Sequence, residues 1–147
     1  MDVTQITLPE VRRKIRKIIV HCSATPAGRD IGAAYIRRLH VHERGFRDIG
    51  YHYVIRLDGS VETGRELERA GAHCTGQNAT SVGICYVGGL DSRYRPADTR
   101  TPAQKRTLAA LIAALKLKFP HAEVFGHRDF ARKSCPCFNA RKEYELL

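Results

Sequence analysis

The sequence predicts a single α/β domain in which a central mixed β-sheet is flanked by helices. Three observations lead there. Short β-branched apolar runs stand at residues 17–23 and 81–89 and again just before His127, and runs of that length stopped by small polar residues read as buried strands. Stretches with helical apolar spacing separate them, and strands mixed with covering helices give a layered α/β domain. The chain has 147 residues, 43% of them hydrophobic, which suffices for one packed core and about one domain.

In chain order, KIIVHCS (residues 17–23) is the first strand. Residues 31–44 carry Ile36 and Leu39 and stop at Gly45, which predicts a helix. YHYVIRLDGSVE alternates and turns at Asp58-Gly59, a hairpin signal. SVGICYVGG is another apolar strand, followed by the polar loop DSRYRPADTR. Thr101-Pro102-Ala103-Gln104 opens the clearest helix: Thr101 caps, Pro102 suits the first helical position, and Gln104 reaches back to close a capping box. Leu108, Leu111, Ile112 and Leu115 then recur at helical spacing, so one face is buried. Phe119-Pro120 ends that helix, AEVFGH is a strand that delivers His127, and residues 139–147 form a last short helix. Residues 1–14 are expected as a basic N-terminal arm and residues 15–147 as the domain.

Lys and Arg number 25 against 15 Asp and Glu, a net charge of +10. That excess calls for an anionic partner: nucleic acid, an acidic membrane surface or an anionic cell wall. No nucleic-acid motif accompanies the charge, so no nucleic-acid partner is expected. No apolar run is long enough to span a bilayer. MDVTQITLPEVRRKIRK is charged and lacks an apolar h-region, so cytoplasmic synthesis without a signal peptide is expected. Five cysteines, an odd number, do not read as a disulfide framework in a reducing compartment. A monomer is expected.

His21 and His127 both stand at the C-terminal ends of predicted strands, where functional groups gather in open α/β sheets. Cys135 lies in a loop stiffened by Pro136. Two imidazoles and a thiolate make a set of three zinc ligands with a fourth position left for water, although histidines and cysteines this far apart also occur by chance. In an extended segment residues two apart face the same side, so Lys133 is expected to point where Cys135 points. There it would stabilise an oxyanion; the alternative is a solvated surface lysine. Tyr51 follows Gly50 and is expected to begin a strand. Its phenol suits a hydrogen bond to a water beside a metal, or it is an ordinary strand tyrosine.

VHCSAT, IRRLHVHERGFRDIGYHYVIRLDGSVETGRE, GAHCTGQNATSVGICYVGG and GHRDFARKSCPCF together resemble the zinc-dependent N-acetylmuramoyl-L-alanine amidases of the phage-lysozyme type, whose fold animal peptidoglycan recognition proteins share. The resemblance covers residues 15–140 in order. It implies one Zn²⁺ per chain held by His21, His127 and Cys135, with Tyr51 and Lys133 as catalytic residues. The implied reaction is hydrolysis of the amide between N-acetylmuramic acid and L-alanine in peptidoglycan or muropeptides, with Tyr51 positioning or deprotonating the water and Lys133 stabilising the oxyanion. Thr25, Arg37, His40, His73 and Asn78 are implied groove residues; for Thr25, His73 and Asn78 a structural hydrogen-bonding role stays equally open. Two positions depart from the pattern. Cys137 stands where relatives often have a small residue, and Asn139 where some have Asp. The resemblance fits a phage or prophage endolysin that acts on the wall after release, or an enzyme of muropeptide recycling. Two other readings stay open: a non-catalytic peptidoglycan-binding module, and a cysteine hydrolase using Cys135 with a histidine.

Overall fold

A computed structural model describes residues 6–147. Its strands are β1 (Lys17–Cys22), β2 (Thr25–Pro26), β3 (Tyr53–Ile55), β4 (Val61–Thr63), β5 (Ser81–Tyr86), β6 (Gly89–Leu90) and β7 (Glu123–Gly126). The helices are α1 (Ala33–His42), α2 (Pro102–Lys118) and α3 (Ala140–Glu143). Five strands form one sheet in the order β4-β3-β5-β1-β7, and β2 pairs with β6 in a small second sheet. The pairs β3–β5, β5–β1 and β1–β7 are parallel, while β3–β4 is the antiparallel hairpin. The mixed sheet with covering helices is the architecture the sequence predicts. The two-residue strands β2 and β6 are additions that no period-2 pattern could reveal.

Alternation along the strands gives the sheet two different faces. Ile18, Val20, Tyr53, Ile55, Val82, Ile84 and Tyr86 join Leu108, Leu111, Ile112 and Leu115 of α2 in the main core. Val54, Cys85 and Val87 face the other way, where Ile31, Ala33 and Ile36 from around α1 cover them. His21 follows Val20, so its side chain leaves β1 on this second face. The site is built there, with the large core behind it.

The start of α2 shows how a local signal becomes a tertiary one. Thr101 Oγ1 accepts from the Gln104 N–H at 3.0 Å, and Gln104 Oε1 accepts from the Thr101 N–H at 2.9 Å. The same Gln104 side chain is fully buried and donates through Nε2 to the carbonyls of Val87, at 2.9 Å, and Ile55, at 3.2 Å. It thus caps the helix and stitches it to the sheet. Immediately before this cap, Arg100 is clamped by Asp98 and Glu143, and its guanidinium stacks 3.4 Å from the Phe138 ring centroid. This pins α3 and the end of the site loop.

Residues 6–14, expected as an arm, lie on the domain, while residues 1–5 fall outside the described residues. Ile6, Leu8 and Val11 pack against the main core, and Arg13 Nε donates to the Leu67 carbonyl at 2.8 Å. Apolar residues spaced between the charges anchor the segment. Among the described residues no helix is long and apolar enough to cross a membrane.

His52 is buried among Arg13, Arg65, His73 and the backbone of β5, accepting from the Gly83 N–H at Nδ1 (3.0 Å). Burial lowers its pKa from 6.5 to about 4. The folded chain therefore keeps it neutral where the unfolded chain takes up a proton. Its contribution to stability is complete above the unfolded value and is lost as pH falls towards the folded one. The melting temperature should accordingly drop from pH 6.5 to about 5, above the carboxylate range, with other buried imidazoles such as His40 acting in the same sense, and His52→Asn should make that drop shallower; a wild-type profile flat across this window contradicts it.

Candidate active site and metal centre

Val20 of β1 pairs with Gly126 of β7, so the next residues, His21 and His127, emerge side by side at the C-terminal ends of two parallel strands. Their ring centroids are 4.6 Å apart. After β7 the chain makes a 3-10 turn, His127–Asp129. The Arg128 N–H then donates to the Cys135 carbonyl at 2.8 Å and closes the loop. Tyr86 Oη donates to the Pro136 carbonyl at 2.7 Å and ties that loop to β5. Cys135 is thereby returned to the end of β1, where the Cys22 N–H donates to its Sγ at 3.2 Å.

One ligand atom from each of His21, His127 and Cys135 lies within 4.8 Å of the others, the one such group among the described residues. His21 is buried, while His127 and Cys135 are half-buried. The donor set is that of a three-ligand zinc site with an open side. Burial holds His21 well below the usual imidazole pKa, with His73, His127 and Lys133 adding to the effect. His127 is lowered by burial and then by Lys133. Both imidazoles are therefore neutral near pH 7, the form that ligates a metal.

Tyr51 stands two residues before β3, its ring centroid 5.0 Å from that of His21 and 5.4 Å from that of His40. Burial raises its pKa well above the usual phenol value, so the hydroxyl keeps its proton. Lys133 does not reach the site through the alternation of an extended segment, since residues 131–138 bend and turn. It is exposed and lines, with His127, His73, Asn78 and Arg44, a recess of about 270 Å³. A smaller recess of about 100 Å³ adjoins Tyr51 and is lined by Ser23, Thr25, Tyr35, His40 and Arg44 among others.

The expected groove residues divide. Thr25 and His40 line the smaller recess, and His73 and Asn78 the larger. Arg37 lines neither; its Nε is bound to Asp48 Oδ1 at 2.7 Å on the exposed side of α1. The others also carry structural bonds. Thr25 Oγ1 lies 2.6 Å from Ser23 Oγ. His40 Nδ1 accepts from the Gly50 N–H at 2.8 Å, and burial followed by Arg44 lowers its pKa to about 4. Asn78 Oδ1 accepts from the His73 and Cys74 N–H groups at 2.9 and 3.0 Å. His73 Nδ1 lies 2.8 Å from His21 Nε2. Sequence reasoning missed Arg44, which lines both recesses; its place four residues past His40 is the signal that could have found it.

The two departures have local explanations. Cys137 Sγ donates to the Gly89 carbonyl at 3.3 Å and lies 4.0 Å from Cys22 Sγ, packed towards the main core. Asn139 does not orient a ligand: its Oδ1 accepts from the Lys142 N–H at 3.2 Å and caps α3.

Fold and site together define a small α/β enzyme domain with a potential metal centre at the C-terminal edge of its sheet. Residues 11–138 match the family model described as N-acetylmuramoyl-L-alanine amidase, and the chain belongs to that family and is an amidase. It is 44% identical over 134 residues to the endolysin of Klebsiella phage KP32, a match covering 91% of this chain and 88% of the relative. Among solved structures, the endolysin N-acetylmuramoyl-L-alanine amidase LysCS from Clostridium intestinale superposes with a TM-score of 0.75 at 29% identity, covering 89% of this chain and 80% of that one. Drosophila PGRP-LB gives a TM-score of 0.75 at 27% identity, covering 95% and 85% of the two chains.

Cys137 lies outside the cluster of His21, His127 and Cys135; if that cluster is the metal site, purified Cys137→Ser should bind zinc like the wild type while Cys135→Ser does not. Elemental analysis of the two variants checks this; the reverse pattern would mean that the other sulfur is the ligand.

Proposed function

We propose that this chain is a zinc-dependent endolysin-type amidase that hydrolyses the bond between N-acetylmuramic acid and L-alanine in bacterial peptidoglycan. The observation that carries the reading is the convergence of His21, His127 and Cys135 within 4.8 Å, flanked by Tyr51 and Lys133. The family match and the endolysin relatives support the substrate. Zinc fits the donor set, and the Cys22 N–H donates to Cys135 Sγ, tying the sulfur to the end of β1 beside His21.

Bound by these three residues, zinc would supply a Lewis acid for the scissile carbonyl. The chain's own groups do the rest. Tyr51, protonated and beside His21, holds the attacking water by a hydrogen bond and helps move its proton. Lys133, solvated at the rim of the larger recess, places its ammonium against the oxygen on which negative charge develops. Arg44, His40 and Thr25 offer polar contacts along the smaller recess for the parts of the substrate flanking the cleaved bond. The presence of both Cys135 and Tyr51 beside the histidines weighs against a purely binding module. The excess positive charge suits a polyanionic wall, and the chain is proposed to act there as a monomer after release from the cell that makes it.

Mass spectrometry of products from defined muropeptides tests the reaction. A glycan with a free lactyl carboxyl and a peptide beginning at L-alanine are expected, and a metal chelator should abolish both; cleavage elsewhere, or cleavage indifferent to the chelator, contradicts the reading. Lys133→Ala should retain zinc and fold but turn over about 10²–10³ times more slowly, the usual loss for an oxyanion donor. Native turnover by that variant would remove Lys133 from the mechanism.

A further inference from the structure

His73 is expected from its place in the sequence to line the groove, yet both of its ring nitrogens are engaged inside the protein. Nδ1 lies 2.8 Å from His21 Nε2, and Nε2 lies 3.2 Å from Ser81 Oγ. All three side chains are buried. A residue that reads a substrate needs a ring nitrogen free to meet it. We infer that His73 is a positioning residue of the metal centre: it accepts the Nε2–H of His21 and so presents His21 Nδ1, bare, to the partners His127 and Cys135. This rests on the reading of His21 as a metal ligand.

The proton positions follow from the donor inventory. Two imidazole nitrogens 2.8 Å apart share one proton between them. If His73 Nδ1 carried it, neutral His21 would hold its own proton on Nδ1 and aim a donor at the ligand cluster. If His21 Nε2 carries it, Nδ1 has a lone pair for a metal. His73 then bears its proton on Nε2, and Ser81 Oγ accepts it. Outer partners of this kind fix the tautomer and orientation of a ligating histidine.

The fold builds a seat for this ring. A Cβ at Gly83 would come within 2.6 Å of the His73 ring, and so would one at Gly71. Gly83 lies two residues from Ser81 on β5, so both present the same face of the sheet. Asn78 fixes the backbone of His73 from the other side, accepting its N–H at 2.9 Å. The mid-strand Gly83 is thus accounted for by this imidazole, and Gly71 by it together with the Gly50 carbonyl.

The test is zinc affinity of the whole chain, measured by competition with a chromophoric chelator. His73→Ala should bind zinc about 10–100-fold more weakly with the KM for muropeptide unchanged. His73→Gln, whose amide oxygen can accept from His21, should recover part of the loss, and Ser81→Ala should show a smaller loss. Zinc binding by His73→Ala within about twofold of wild type, with a raised KM, overturns the inference and returns His73 to the groove. A wild type without tight zinc, or His21→Ala that keeps it, instead defeats the ligand reading beneath it. Should His73→Ala fail to fold, ¹⁵N NMR of the histidine rings in the zinc-loaded wild type decides: protons on His21 Nε2 and His73 Nε2 are expected, and a proton on His73 Nδ1 overturns the inference.

Discussion

The in-register parallel pairing of β1 with β7 is the constraint on which the rest of the structure depends. With Val20 opposite Gly126, two histidines that are far apart in the chain leave the sheet together. A slip of one residue along β1 would send His21 into the α2 core and Val20 into the site, because the side-chain period of a strand is two. The hydrophobic face of β1 resists that slip: Ile18 and Val20 are buried against α2. The geometry of the polar site is therefore set by the apolar core on the opposite side of the sheet.

From that pairing the electrostatics follow. His21, His127, His73 and Lys133 are crowded into one partly buried volume, and burial with mutual repulsion keeps the imidazoles neutral. Crowding that discourages protons would favour a bound cation only where lone pairs converge, and here one ligand atom each of His21, His127 and Cys135 lies within 4.8 Å of the others. On a longer scale the net charge of +10 attracts an anionic polymer, an effect that salt screens. The two scales are separate: the net charge is spread over the whole chain, and the neutral imidazoles belong to one partly buried cluster.

What was legible in the sequence was local. The capping box at Thr101 and Gln104, the Asp58-Gly59 turn and the apolar spacing of α2 are written within a few residues of one another, and the structure follows them. The residues converging at the site were legible through a motif resemblance that spans the chain. Contacts set by tertiary packing were not. Nothing around His73 announces a bond to His21, because their meeting depends on glycines at positions 71 and 83. Lys133 reached the recess by a bent loop that no alternation describes. In the N-terminal segment the conspicuous charges of VRRKIRK hid the apolar residues that fasten it to the core.

The central claim is that His21, His127 and Cys135 hold one zinc ion. X-ray absorption at the zinc edge of the purified protein tests it most directly. Two imidazole nitrogens at about 2.0–2.1 Å and a single sulfur at about 2.3 Å, with a further light-atom ligand, are the expected shell. A shell with two sulfurs, a shell with none, or a purified active enzyme without zinc would contradict the account.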